Sequence, residues 1–301
     1  MAARRSARIR LGLRRRGLLG QDTPLAEHAV VLRPGTVLIR DQARLNAYTL
    51  RIGATDQSYV DLDDPTNLEF DYVQRIADVI DVLAPAGERI RVVHVGGAAM
   101  TIPRYVAATR PRSAQVVLEP DTVLTEWVRE WLPLPKQSGI KVRAVDGLTG
   151  IGSLSDGYAD LVVVDAFLGA RVPSDLTTVE FFADLARVVA PRGIAVVNLT
   201  DRGPFRYGRR VAAGLLEAFG HVMWSAEPST LKGRRFGNVI VAASALPLPV
   251  AAYAQRAGSG PYPYRVLHGS RLEQLVAGAR PFGGTDVSPS PDPPFDFFHG
   301  P

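Results

Sequence analysis

The chain has 301 residues, a mass of 32.5 kDa, 46% hydrophobic and 22% charged residues, and a formal net charge of +5. This composition describes a globular protein with a sizeable core. No run approaches the ~18 apolar residues of a membrane span, and the absence of cysteine excludes disulfides, thiolate metal sites and a cysteine nucleophile. The charge is unevenly placed: Arg4, Arg5, Arg8, Arg10, Arg14, Arg15 and Arg16 stand in residues 1–20 with no acid among them. Subtracting these seven from +5 leaves −2 for the rest.

Residues 1–30 lack apolar periodicity and read as a basic, disordered arm. Such an arm can make weak phosphate contacts with nucleic acid or anionic lipid; otherwise it is a solvated leader. It has neither the apolar stretch nor the small-residue cleavage site of a secretory signal, so a cytoplasmic protein with no membrane partner is expected. Residues 31–67 read as a small N-terminal β unit, in which VVLRPGTVLIR, YTLRIG and SYVDL form strands and Asp64-Pro65-Thr66-Asn67 closes the unit.

Residues 68–246 carry a regular alternation. Helical spacing over Leu68–Leu83 places Phe70, Val73, Ile76, Ala77, Ile80 and Leu83 on one face. Strands are predicted at Arg91–Val95, Gln115–Leu118, Ile140–Val145, Leu161–Val164 and Ile194–Asn198. Between them lie helices running to Ala108 and over Thr122–Trp131 and Thr178–Val189. Pro191-Arg192-Gly193 is expected to end the third of these before the last strand. A helix over Arg209–Phe219 and an antiparallel pair, His221–Ser225 with Val239–Ala242, complete an α/β domain with a mostly parallel sheet. Residues 247–301 form a C-terminal extension with one short helix at Ser270–Ala277. It ends in a loose Pro-rich tail whose candidate anchors are Phe295, Phe297 and Phe298.

In open α/β sheets ligands sit at the carboxyl ends of the strands. The residues found there are Gly96-Gly97, Glu119, Asp146-Gly147 and Asp165, in that order. Glycines allow close backbone approach. An acid 22 residues beyond Gly97 stands where a ribose-binding acid falls in one βαβ turn. Asp146 can accept from an adenine amino group, and Asp165 at the cleft rim can meet a cationic or amine substrate. Taken singly, the glycines fit an ordinary strand–helix turn, Glu119 and Asp146 fit solvated loop acids, and Asp165 fits a cap. Together they point to a nucleoside site. The sequence holds no G-x-G-x-x-G, no phosphate-binding G-x-x-x-x-G-K-[ST] and no G-x-S-x-G elbow. Its five histidines show no metal spacing, and His94, inside an apolar strand, reads as a core histidine.

This order resembles the spermidine synthase (polyamine aminopropyltransferase) family, whose fold is of the class I S-adenosylmethionine-binding, methyltransferase-like kind. The resemblance covers roughly residues 48–243. RVVHVGG is similar to the family's first strand and glycine loop, VVLEPD to its V-E-x-D segment and AVDG to its G-D-[GA] segment. YADLVVVDAF resembles the strand bearing its catalytic aspartate, and LTTVEFFADLARVVAPRGIAVVN the helix and turn that follow. DQSYVDLDDPTNLEFDYVQRI resembles its glutamine and tyrosine segment. The resemblance implies a Rossmann-like sheet with helices on both faces, preceded by the small β unit. It also implies that Glu119 binds ribose, Asp146 with Gly147 binds adenine, and Gly96 and Gly97 line the pocket. By the same carry-over Asp165 helps deprotonate the amine, with Tyr72 and Gln57 beside the transfer site.

The departures fall on the amine half. The family loop G-G-G-D-G-G is here Gly96-Gly97-Ala98-Ala99-Met100-Thr101, so Ala99 stands where an acid is expected. Leu168 replaces the second catalytic-loop aspartate, and Val73 the His or Gln after the tyrosine. Phe167, Leu168 and Met100 are expected to make the acceptor pocket apolar, and an apolar pocket holds a dication poorly. The resemblance therefore implies a divergent, metal-free transferase. It would move an aminopropyl group from decarboxylated S-adenosylmethionine to an amine other than a standard diamine. Two alternatives stay open: a methyltransferase using S-adenosylmethionine itself, and a catalytically silent nucleoside-binding regulator. A homodimer is expected from the resemblance alone.

Overall fold

The computed structural model describes residues 29–294. Most of the basic arm, and Phe295, Phe297 and Phe298, lie outside the described residues. The chain opens with β1 (Ala29–Arg33), β2 (Thr36–Arg40), β3 (Ala47–Ile52) and β4 (Thr55–Asp61), an antiparallel sheet in that spatial order. Pro34-Gly35 makes its first turn, where Gly35 has φ +75°, a conformation that glycine adopts without steric cost. Helix α1 (Asp71–Leu83) buries Val73, Ile76, Ala77 and Ile80, the face that the 3.6-residue period marks.

The main sheet contains β5 (Arg91–Val95), β6 (Ala114–Leu118), β7 (Ile140–Arg143), β8 (Ala159–Val164) and β9 (Val189–Asp201), parallel in the order β7-β6-β5-β8-β9. It continues antiparallel through β11 (Gly237–Ser244), β10 (His221–Ala226) and β12 (Arg265–His268). The connecting helices are α2 (Thr101–Thr109), α3 (Thr122–Trp131), α4 (Gly147–Gly152), α5 (Val179–Val188), α6 (Arg206–Phe219), α7 (Pro228–Leu231), α8 (Val250–Ser259) and α9 (Ser270–Val276).

Strand side chains alternate between two cores. Val93, Val95, Val162, Val164 and Val197 pack with α5 and α6 on one face. Val92, Leu161, Val163 and Val196 pack with α1, α2 and α8 on the other. Being covered on both sides, the central strands read as continuous apolar runs. A third cluster joins Leu32, Leu38 and Leu50 of the small sheet to Met100, Leu124 and Val128, so that sheet covers the glycine loop and α3.

Three expectations are corrected. Pro191-Arg192-Gly193 does not end a helix ahead of a separate strand. It bulges within β9, where Ala159 pairs with Val189 and Leu161 with Ile194, and β9 runs on to Asp201. Helix α8 and strand β12 were not foreseen, and β12 joins the main sheet beside β10. The tail is not loose as far as Pro294. Val179 N donates to Phe282 O at 2.9 Å, Arg210 lies over the Phe282 ring, Val172 N donates to Ser290 Oγ at 2.9 Å, and Arg171 pairs with Asp292. Those anchors are not the phenylalanines named from the sequence.

Candidate functional site

The spatial order of the parallel strands reverses between β5 and β8, and that switch point opens the crevice where α/β sheets bind ligands. Gly96 ends β5 and Asp165 ends β8, joined by a hydrogen bond from Asp165 N to Val95 O at 3.0 Å. At Gly96, with φ +91°, an added Cβ would lie 2.3 Å from the Asp165 carbonyl oxygen. Glycine is therefore required both for the backbone conformation and for the contact.

Gly96, Gly97, Gln57, Tyr72 and Asp165 line one cavity of about 50 Å³, together with Phe167. Five of the residues marked in the sequence thus meet, although they come from β4, α1 and the ends of β5 and β8. A second cavity of about 500 Å³ shares Gln57, Tyr72 and Phe167 and adds Asn198, Thr200 and Asn238. The loop between them is held by Gln57, whose Nε2 donates to Gly169 O at 3.1 Å. A larger, mostly apolar cavity of about 840 Å³ lies among Leu216, Val250, His268 and Leu272. It holds none of these acids, so the candidate site is the pair of cavities at β5 and β8.

Glu119, Asp146 and Gly147 line neither site cavity. Glu119 Oε2 accepts from Gly97 N at 3.0 Å and Ala98 N at 3.2 Å, and its Oε1 accepts from Asp121 N at 2.9 Å. The carboxylate thus ties the glycine loop to the end of β6. Asp146 is exposed and caps α4, with Oδ1 accepting from Thr149 N at 2.8 Å. That bond holds its carboxyl below the usual range. Gly147 packs on Val95, where an added Cβ would fall 2.3 Å from Val95 Cγ1.

Asp165 is the most perturbed acid of the site. Burial pushes it up to about 6, against the opposing hydrogen bond from Asn198 Nδ2 at 2.9 Å. Asn198 is itself fixed, because its Oδ1 accepts from Asn238 Nδ2 at 3.0 Å. Tyr72 is raised well above its ordinary value by burial and then by the Asp165 charge, so it stays a phenol that can orient a ligand but not take its proton. His94 is a core histidine, as read from its strand. Its Nε2 meets Gln115 Oε1 at 2.9 Å, Gln115 Nε2 donates to Pro103 O at 3.0 Å, and burial lowers it to about 4.

The expected apolar wall is only partly present. Phe167 lines both cavities, but Leu168 is 81% exposed, and Met100 is buried beneath the small sheet. Ala99 is also buried there, its N–H donating to Ser58 Oγ at 3.2 Å. Asn198, Thr200 and Asn238 were missed. The signal for Asn198 and Thr200 is a polar residue at alternate positions near the end of the apolar strand IAVVNLT, and that for Asn238 is a lone Asn at the start of GNVIV. Among the described residues no cluster of three or more His, Asp or Glu could hold a metal, and no helix is long and apolar enough to cross a membrane.

No family model matches the chain. It is 26% identical over 155 residues to a polyamine aminopropyltransferase of Chromobacterium violaceum, covering 51% of this chain and 58% of that one. With a polyamine aminopropyltransferase of Vibrio vulnificus it shares 24% identity over 184 residues, 60% of each chain. The chain therefore spans less than two thirds of the length of these curated relatives. The crystal structure of a probable spermidine synthase from Corynebacterium glutamicum superposes with a TM-score of 0.77 at 29% identity, over 87% of this chain and 97% of that one. The chain is built on a Rossmann-like α/β sheet with a small N-terminal antiparallel sheet, and these likenesses, taken with the strand-end glycines and acids, support a divergent relative of the spermidine synthases.

Proposed function

We propose that this chain is an alkyl transferase that moves an aminopropyl group from decarboxylated S-adenosylmethionine to an amine. The observation that carries the reading is Asp165, a half-buried carboxylate at the switch point, lining the small glycine-lined cavity beside the larger cleft. In the proposed reaction the neutral amine nitrogen attacks the carbon bonded to the sulfonium. The new C–N bond takes the nitrogen lone pair, and the C–S electron pair leaves with sulfur as a neutral thioether. The proton lost by nitrogen passes to Asp165, which is ionised above about pH 6. Tyr72 and Gln57 orient the reactants, and holding them in line supplies much of the rate.

The acid set suits a nucleoside, since the Glu119 carboxylate can accept from two ribose hydroxyls once the loop N–H groups leave it, and Asp146 stands one strand further along for an amino group. The cavity of about 50 Å³ is far below the ~300 Å³ of small-molecule sites. Donor entry therefore opens the loop from Gly96 to Met100, with ribose hydroxyls replacing the loop N–H groups on Glu119. Methyl transfer from intact S-adenosylmethionine is the second reading, favoured by Ala99. No acid stands there to hold the donor amine or to repel a donor carboxylate. A homodimer and a cytoplasmic setting belong to the same proposal.

Calorimetric titration with decarboxylated and intact S-adenosylmethionine tests the donor, and tighter binding of the intact form would move the assignment to methyl transfer. Glu119→Ala is expected to weaken binding of methylthioadenosine by roughly 10- to 100-fold, the equivalent of one lost charge-assisted hydrogen bond. Unchanged affinity in that variant would remove Glu119 from the site.

A further inference from the structure

The lining of the larger cleft bears on the chemistry of the acceptor in the proposed reaction. Its lining holds one ionised pair, Arg51 with Asp56, joined at 2.6 and 3.1 Å at the exposed mouth and so contributing no net charge. Asp165 lines the adjoining small cavity, and Asn198 of the cleft wall donates to it. Beyond it the wall is neutral and hydrogen-bonding: Asn198, then Asn238, then Thr200. A dication needs a second carboxylate at its far end, because an unpaired buried charge is costly.

Thr200 supplies an independent observation. It is 8% exposed, it lines the cleft, and its Oγ1 has no hydrogen-bond partner. A buried hydroxyl without a partner is uncommon, and one carried by a residue of a cavity wall has its bonding capacity unused. Asn198 and Thr200 are two residues apart on β9, so both side chains leave the same face, roughly 6.5 Å apart along the strand. A four-carbon chain spans about the same distance, between a group beside Asn198 and one beside Thr200.

We propose that the acceptor is a monoamine whose far end carries a neutral hydrogen-bonding group, a hydroxyl or amide, received by Thr200 with Asn238 beside it. The inference rests on the transferase reading for its chemistry, in which the amine nitrogen displaces the thioether as written above. It rests on the cleft alone for its ligand. Asp165 and the Asn198–Asn238 pair fix the amine end, and the unpartnered hydroxyl selects the other. A site built to pair a hydroxyl discriminates strongly against analogues that leave its own polar group unpaired.

The test uses the full chain, saturated with methylthioadenosine and titrated with 4-aminobutan-1-ol, 1,4-diaminobutane and butylamine. Initial rates are measured on the same amines with each sulfonium donor. The amino alcohol is expected to bind about tenfold more tightly than butylamine, the factor of one hydrogen bond. Thr200→Val should bring that ratio close to one, while Thr200→Ser, which keeps the hydroxyl, should retain it. Diaminobutane binding as tightly as the amino alcohol, with the ratio unmoved in Thr200→Val, would overturn the inference; with alkyl transfer to diaminobutane it would leave the transferase reading intact. Thr200-dependent binding of the amino alcohol without transfer from either donor would sink the transferase reading and keep the ligand assignment. No binding of any of the three amines would overturn both.

Discussion

Asp165→Asn is expected to reduce alkyl transfer by roughly 10²- to 10⁴-fold, the range that a positioned proton acceptor contributes, while making the folded protein more stable at pH 7. The two effects share one cause. Burial raises the Asp165 pKa from 3.8 to about 6, so the ionised form that takes the proton is also the form the fold resists. A folded pKa above the unfolded value means that the folded state binds the proton more tightly. The penalty is absent below about 3.8, grows as pH rises, and is complete above about 6. At ~1.4 kcal/mol per unit it reaches at most about 3 kcal/mol, reduced by whatever water the cavity admits. Asparagine is neutral, and its Oδ1 can still accept from Asn198 Nδ2, so the variant escapes the cost without losing that partner. Denaturant unfolding at pH 8 and pH 5 measures the stability gap, which should narrow at the lower pH. In the parent protein kcat should rise with pH through about 6. Full turnover in Asp165→Asn would remove the residue from the chemistry. A variant less stable than the parent at pH 8 would show that the carboxylate is a structural partner instead.

Gly96→Ala should be the most damaging single-methyl change at the site, costing roughly 3 kcal/mol or more. Two mechanisms add. At φ +91° an L side chain is strained by about 1–2 kcal/mol. The new Cβ would also lie 2.3 Å from the Asp165 carbonyl oxygen and 3.0 Å from its carbonyl carbon, both backbone atoms that yield only if the β8 end moves. Overpacking of this kind typically costs ~1–3 kcal/mol more. Gly97→Ala is the internal comparison. Its φ is not in the left-handed region, and its nearest contact is a side-chain methyl, Val117 Cγ1 at 2.8 Å, so a smaller loss is expected. Thermal unfolding of both variants decides this: equal losses would mean that the close approach of Gly96 to Asp165 does not constrain the fold.

Much of the sheet was legible because its strands are buried on both faces and its helices are marked by capping and period. Thr122–Trp131 is such a case, with Asp121 accepting from Leu124 N at its start. The order of Gly96, Glu119, Asp146 and Asp165 was legible for the same reason, since strand ends can be counted from apolar runs. The use of each acid was not. Whether Glu119 faces a ligand or grips the loop depends on which N–H groups the loop turns inward; those of Gly97 and Ala98 do so in a loop where Ala98 and Met100 take left-handed conformations, at φ +39° and +64°, that their residue types do not announce. Met100 looks like a pocket residue until the small sheet is laid over it. Leu168 looks like one until its loop is seen to turn outward. Thr200 and Asn238 became visible only once β9 was paired with β11, which sets the two residues opposite each other across a ladder between distant segments. Proline and glycine misled at Pro191–Gly193 because a bulge and a turn use the same residues.

The central claim is that a sulfonium donor is cleaved here by an amine, and the most direct measurement is thioether release. The full chain is incubated with decarboxylated S-adenosylmethionine and 4-aminobutan-1-ol, and methylthioadenosine and the alkylated amine are counted by mass spectrometry. The account expects the two products in equal amounts, formed by the parent protein and lost in Asp165→Asn. Release of S-adenosylhomocysteine from the intact donor, with the decarboxylated donor untouched across the amine panel, would contradict it.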